Sequence, residues 1–333
     1  MEQIYTPKQD LKVLVRCFTY NQSKYIEDAL NGFAMQQTNF PFVCLVMDDC
    51  STDGEQEVIK AWMQRECDME KSEVIEIPTS VVFIVPHKTN TSCSFAFYLL
   101  KQNLYKYNNI KADLVRPWRR LSNYEALCEG DDYWIDNTKL QKQVDYLDAN
   151  PKCGLVYTKT NILDTDQEKI TGTIGSAYFS KREIYTTNKI ATLTVCFKTG
   201  CVLDYAKEVP YETRSQWLMG DYPLWLYISE KYDIQFIDKV TAVYRANRGS
   251  ASRPDSIEKK LRFIGNTKEI QLYFASRTQK EGLERQIERN HMVSVVDTFK
   301  NYNRSWEGIK RVTVSRYLNV IEKIKYIIHL LVK

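Results

Sequence analysis

Three groups of carboxylates stand out by type and spacing: Asp48-Asp49, Glu129-x-Asp131-Asp132, and Asp221 within Met219-Gly220-Asp221-Tyr222-Pro223. Acids gathered at one edge of a protein repel one another unless a cation sits among them. Hard divalent cations such as Mg²⁺ or Mn²⁺ take one or two carboxylates and complete their shell with substrate phosphates and water. The chain has three histidines (His87, His291, His329) and no paired His/Cys spacing, which argues against zinc. The ligand that fits such a row is a diphosphate. Each group also has a plainer account. Asp48-Asp49 with Ser51, Thr52 and Asp53 has the composition of a turn and helix N-cap. Asp221, followed two residues later by proline, reads as a helix start. Glu129, Asp131 and Asp132 are harder to absorb in that way, because one acid is enough to cap a helix.

The elements that must hold these acids are legible in part. Leu11 to Phe18 is a short β-branched apolar run and predicts a buried strand. A helix follows with Ser23 as N-cap and Ile26, Leu30 and Phe33 on one face. Phe42 to Met47 predicts a second strand running into Asp48, and Val58, Ile59 and Trp62 mark the next helix. Ser80 to Pro86 reads as a strand and Phe95 to Tyr107 as a helix. Glu125 to Cys128 predicts a strand feeding the second acid group, before a helix through Leu140, Val144 and Leu147 capped from Asp136 or Asn137. Further on, Gly154 to Thr158, Leu193 to Phe197, Ile234 to Ile237 and Val240 to Arg245 read as strands, with a helix over Asp221 to Lys231. Strands alternating with helices predict a mostly parallel sheet with helices on its faces, where ligands bind at the carboxyl ends of strands.

Composition sets the outer limits. The 333 residues carry a net charge of +4, too small to argue for a nucleic-acid partner, and none is expected. No run of about 18 apolar residues is present to cross a bilayer. The first ten residues hold two acids and no apolar core of a signal peptide, so a cytoplasmic location is expected. Nine cysteines are scattered without a Cys-x-x-Cys pair and read as small buried hydrophobes.

Four segments, taken in order, resemble the family 2 glycosyltransferases of the GT-A fold: LVRCFTYNQSKYIEDAL, CLVMDDCSTDG, ALCEGDDYWIDNTKLQKQVDYLDANP, and GDYPLWL followed by VYRANRGSAS. The resemblance covers residues 10 to 253 and is most specific at EGDDYW. It implies a Rossmann-like GT-A domain over 1–253, with a nucleotide-sugar half to about 150 and an acceptor half beyond it. Residues 254–333 are left as a helical C-terminal appendage. It further implies that Phe18, Tyr20 and Asp49, with Asp48 beside them, hold the nucleotide base and ribose. Asp131 and Asp132, with Glu129 in reserve, would meet the ribose and the metal that bridges the diphosphate, and Asp221 would be the general base. Family enzymes of this kind invert the anomeric carbon. The implied donor is a nucleoside-diphosphate sugar, a UDP-sugar favoured, with Mn²⁺ or Mg²⁺, and the implied acceptor is a glycan or lipid-linked glycan of surface-polysaccharide synthesis. Where relatives carry Tyr-Arg-x-His, this chain reads Tyr244-Arg245-Ala246-Asn247, so Arg245 or Arg248 is the candidate phosphate clamp. The run Arg116-Pro117-Trp118-Arg119-Arg120 either lines a substrate mouth or faces water, and the second is expected.

The alternatives are a nucleotidyltransferase and a catalytically dead sugar-nucleotide sensor. The first normally brings a glycine-rich phosphate loop, which is absent here; retention of all three acid positions argues against the second. The tail carries seven Lys/Arg and two acids between Asn301 and Lys333. Its last helix places Ile324, Ile327, Ile328 and Leu331 on one face. Two readings stand, a helix docked on its own domain and an interfacial helix making peripheral contact with an anionic membrane at its inner face.

Overall fold

The computed structural model of the chain describes residues 11–105, 108–247, 256–278 and 280–331. In chain order the elements are β1 (Leu11–Thr19), α1 (Ile26–Ala34), β2 (Phe42–Asp48), α2 (Glu55–Glu66), β3 (Glu73–Ile77), β4 (Ser80–Pro86), β5 (Cys93–Leu100), α3 (Asn108–Arg120), β6 (Ser122–Leu127), β7 (Tyr133–Trp134) and α4 (Lys139–Ala149). They continue with β8 (Cys153–Asp164), β9 (Lys169–Ile174), β10 (Cys196–Lys198), α5 (Thr199–Glu208), α6 (Tyr211–Arg214), α7 (Asp221–Lys231), β11 (Asp233–Ala246), α8 (Ile257–Ser276), α9 (Leu283–Asn301), α10 (Ser305–Val314) and α11 (Val320–Leu331). Two compact units share them. The first comprises Met1–Ala177, Ile190–Tyr205 and Lys231–Arg245; the second comprises Tyr178–Lys189, Ala206–Glu230 and Ala246–Lys333.

The first unit is built on one sheet of order β3-β4-β5-β2-β1-β6-β10-β8-β11-β7, with β9 on β8. Its centre, β5-β2-β1-β6, is parallel. On either side β4 and β10 turn the sheet antiparallel. The central strands are buried on both faces, and alternate residues feed two cores. Phe42, Cys44 and Val46 of β2 pack with α1, α2 and α4 on one face. Val43, Leu45 and Met47 pack with Leu114, Val115 and Trp118 of α3 on the other. A strand in this position has to be apolar along its length, as Phe42 to Met47 is before the terminal Asp48.

Several expectations are corrected. Cys93 to Leu100 is the strand β5, paired in parallel with β2, and not the start of a helix through Tyr107; the helix is α3, further along. Ser23 does not cap α1, which begins at Ile26 without a side-chain cap. Its N–H donates instead to Asp53 Oδ2 at 2.9 Å. Likewise α4 has no side-chain cap, and Asp136 Oδ1 accepts from Thr138 N at 3.0 Å in the turn before it. Leu193 to Phe197 divides into a 3₁₀ turn (Thr192–Thr194) and the short β10. The two extended runs from Ile234 to Arg245 are one strand, β11. All nine cysteines are free, and eight of them are buried.

In the second unit the residues described from 256 onward are helical, as expected. Ser256 caps α8 through its hydroxyl, which accepts from Lys259 N at 3.2 Å. The helices close over Val295, Val296, Phe299, Val312, Leu318 and Leu330.

Candidate active site

In the first unit, the parallel register aligns the carboxyl ends of three strands. Thr19 of β1 lies opposite Asp48 of β2, and Arg16 of β1 lies opposite Leu127, the last residue of β6. Past those ends the chain is laced together by backbone bonds from Asp49 N to Thr19 O (3.0 Å) and from Gly130 N to Phe18 O (3.2 Å). Phe18, Tyr20, Asp48, Asp49, Glu129, Asp131 and Asp132 therefore follow neighbouring strands at one sheet edge.

The loops turn sharply there. Asn21 and Cys50 both adopt left-handed backbone, at φ 55° and 60°. Asparagine tolerates this through its side chain, and here Asn21 Oδ1 accepts from Thr52 N at 2.8 Å. Glu55, which the sequence reading passed over, ties the two loops. Its carboxylate accepts from the Thr19 hydroxyl, from Gln22 N (2.8 Å) and from Ser51 Oγ (2.9 Å). Burial raises the Glu55 carboxyl above its ordinary value despite those three donors. A glycine is required at 130, where a Cβ would meet the Thr19 side chain and Gln22 Oε1.

Asp48 does not reach the surface. It is fully buried; Oδ1 accepts from Ser51 N (3.1 Å) and Gln56 Nε2 (2.5 Å), and Oδ2 meets no donor among the described residues. It shapes the β2–α2 turn beneath the site. Asp49 is held at both oxygens, by Leu104 N at 2.6 Å and Lys111 Nζ at 2.9 Å. The Phe18 ring lies under two cations, with the Arg16 guanidinium 4.4 Å and Lys111 Nζ 5.6 Å from its centroid. Tyr20 is 45% exposed. Arg16 in turn pairs with the buried Glu125 at 2.8 Å, and Arg119 meets the same carboxylate at 2.7 Å. Burial alone would raise the Glu125 carboxyl, but Arg119 and Arg16 outweigh it and hold it below the ordinary range. Arg119 is thus no water-facing residue, and Trp118, 2% exposed, donates to Tyr98 Oη at 2.9 Å.

Asp132 is the buried member of the acid pair, 3% exposed, and its Oδ1 accepts from Arg245 N at 2.7 Å. Burial, then the charge of Asp131, push its carboxyl well above the ordinary value, against the Arg245 N–H. Arg245 is not a free phosphate clamp. Its guanidinium lies between the rings of Tyr25 and Tyr133, 4.7 and 4.4 Å from their centroids. It donates to Asp131 O at 2.8 Å and pairs with Asp28. With both terminal nitrogens and two aromatic neighbours engaged, Arg245 positions the acid loop. Arg248 lies outside the described residues.

Two adjacent carboxylates, one of them desolvated and resisting its own charge, are a donor set that a hard divalent cation satisfies together with ligand oxygens. Glu129 does not complete a cage: among the described residues no three His, Cys, Asp or Glu are grouped to hold an ion. Asp221 belongs to the second unit, where it opens α7 and its Oδ1 accepts from Tyr222 N at 2.7 Å. That helix is anchored by Tyr222, whose hydroxyl donates to Ile184 O at 2.6 Å and accepts from Gln271 Nε2 at 3.1 Å.

Comparison with known proteins bears on the same segments. Residues 17–79, from the end of β1 past β3, match the profile of Glycosyl transferase family 2. Over 151 residues the chain is 33% identical to uncharacterised proteins of Mycobacterium tuberculosis (strain ATCC 25618 / H37Rv) and Mycobacterium bovis (strain ATCC BAA-935 / AF2122/97). That match takes in 45% of this chain and 36% of each relative, so the chain spans little more than a third of their length. A mannosyltransferase from Pyrobaculum calidifontis, solved with GDP-Man and Mn²⁺, superposes with TM-score 0.53 at 13% identity, over 99% of this chain and 89% of that one. It shares the fold. S. aureus TarS 1–349 aligns with TM-score 0.46 at 15% identity over 96% and 89% of the two chains.

Proposed function

We propose that this chain, a family 2 glycosyltransferase of the GT-A fold, moves a sugar from a nucleoside-diphosphate donor to an acceptor hydroxyl with inversion at the anomeric carbon. The observation that carries the reading is the convergence at one sheet edge of the Phe18 platform and the Asp131-Asp132 pair. An aromatic ring and a pair of adjacent acids, one of them desolvated, are what a base at one end and a diphosphate at the other require. Phe18 and Tyr20 hold the base and ribose, and Asp49 meets them by exchanging its contact with Lys111. Asp131 and Asp132 would hold Mn²⁺ or Mg²⁺. When bound, the cation supplies Lewis-acid stabilisation of the leaving group. The presence of GDP-Man and Mn²⁺ in the P. calidifontis mannosyltransferase supports this donor class; a UDP-sugar is the form we favour.

In the transfer, the acceptor oxygen bonds to the anomeric carbon as the bond from that carbon to the phosphate oxygen breaks. The electron pair leaves with the nucleoside diphosphate, and the hydroxyl proton goes to Asp221. We take residues 1–253 as the transferase portion and 254–333 as its appendage. The acceptor is a glycan or lipid-linked glycan of cell-surface polysaccharide synthesis.

The test is a panel of UDP-, GDP- and dTDP-sugars with Mn²⁺, following nucleoside diphosphate release with and without EDTA. One donor is expected to turn over, with activity lost in EDTA and in Asp132→Asn. Asp221→Asn is expected to lower turnover by about 10²–10⁴-fold, the span of general-base catalysis, while nucleotide still raises the melting temperature. Full activity in Asp221→Asn, or turnover indifferent to EDTA, refutes the assignment of roles.

A further inference from the structure

Half of the large apolar side chains left exposed among the described residues, eight of sixteen, fall between Trp306 and Leu331. That stretch is the hairpin of α10 and α11, and a concentration of this kind marks an interaction surface. α11 carries two apolar faces. One is packed: Leu330 is buried, with Tyr326 and Ile327 beside it, on the core formed by Val295, Phe299 and Val312. The other turns outward. Val320, Ile321, Ile324, Ile328 and Leu331 are between 54% and 78% exposed, and at about 100° per residue they make one continuous stripe. Ile327 therefore leaves the face that the sequence grouped with Ile324 and Ile328. On α10, Trp306, Lys310 and Val314 are exposed at i, i+4 and i+8.

The hairpin carries a net positive charge. Residues 301–331 hold six Lys/Arg and two acids, and both acids are spent on ion pairs, Glu307 with Arg304 at 2.6 Å and Glu322 with Arg289. Lys310 of α10 and Lys325 of α11 are exposed, and Lys325 follows Ile324 of the stripe directly. A second copy docked by a two-fold through this face would set those lysines against their own equivalents. It would also bury one short helix, where a stable dimer needs about 800 Å² per partner. No described helix is long and apolar enough to cross a membrane, and an exposed apolar stripe on a net cationic hairpin matches the chemistry of an anionic lipid surface.

We propose that the α10–α11 hairpin is an interfacial membrane-docking element that lays Ile321, Ile324 and Ile328 into an anionic phospholipid surface, with Lys310 and Lys325 on the headgroups. This deepens the transferase reading by naming where a lipid-borne acceptor is met. The binding test contains no sugar nucleotide, so its failure leaves that reading standing.

The 333-residue chain is sedimented with vesicles of phosphatidylglycerol and phosphatidylcholine, or of phosphatidylcholine alone, in 0.1 M NaCl, and its mass is measured by light scattering. Binding to the anionic vesicles is expected, about a hundredfold weaker in Ile321→Glu/Ile324→Glu/Ile328→Glu, with unchanged circular dichroism and melting temperature. Lys310→Glu/Lys325→Glu, at two exposed positions, is expected to abolish the preference for anionic lipid and decides the matter should the triple variant fail to fold. Wild-type protein left in the supernatant overturns the proposal, as does equal pelleting of the charge-reversed variant. A dimer that the triple variant abolishes, without vesicle binding, overturns it in favour of self-association.

Discussion

Gly130→Ala tests whether the acid loop is held where it is by contact with β1. A Cβ at 130 would stand 2.6 Å from Gln22 Oε1 and 2.6 Å from Thr19 Cβ, and closer still to the Thr19 hydroxyl, whereas ordinary contact begins at 3.4 Å. One side must therefore yield by at least 0.8 Å. Thr19 has little room to do so, since its Cβ is fixed by the strand and its hydroxyl is bound to Glu55. The loop carrying Asp131 and Asp132 moves instead. Overpacking of this kind costs about 1–3 kcal/mol of stability. A misplacement approaching 1 Å in a reacting site costs about 10²-fold, equivalent to about 2.7 kcal/mol of barrier. The assay is a thermal melt beside donor turnover, with Gly265→Ala as the opposing control. Gly265 sits inside α8 with nothing within 4 Å of the added methyl, so that substitution should gain about 0.5–1 kcal/mol in helix propensity. If Gly130→Ala melts and turns over like wild type, the close approach of the two loops is not what positions the acids.

Glu125→Ala should lower stability by about 3–5 kcal/mol, because it leaves the half-buried Arg16 and Arg119 without their shared carboxylate. The folded-state value of Glu125 lies below its free value of 4.5. Its contribution is thus fully present above pH 4.5 and lost as pH falls through the folded value; denaturant melts of wild type and variant should converge in that acid range. Arg245→Lys should cut turnover about tenfold or more without unfolding the protein. An ammonium cannot fill the planar slot between Tyr25 and Tyr133 while also reaching Asp28 and Asp131 O. Unchanged turnover in Arg245→Lys would remove it as a positioning residue.

Read by itself, the sequence determined the strand-turn-helix units that carry the acids, because an apolar run ending in Asp, Ser, Thr or Gly is a local signal with a local cause. It placed Asp48-Asp49, Asp131-Asp132 and Asp221 at element ends, and Asp221 is the first residue of α7. Tertiary structure decided what periodicity could not. Cys93 to Leu100 faces a core on each side, so from Phe95 to Leu100 it is an unbroken apolar run that no period of 2 or 3.6 distinguishes. Pro117 lies inside α3, and the helix continues past it with Leu114, Val115 and Trp118 packed beneath the sheet. The roles of Glu55, Glu125 and Arg245 rest on partners 36, 109 and 217 residues away, and no local spacing encodes such a pairing. For α11 the sequence shows an amphipathic helix; only packing decides that Leu330 and Ile327 turn inward while Ile321, Ile324 and Ile328 stay exposed. Local chemistry names the groups that a site requires, and the fold selects which of them reach it, because burial and distant partners are properties of the assembled chain.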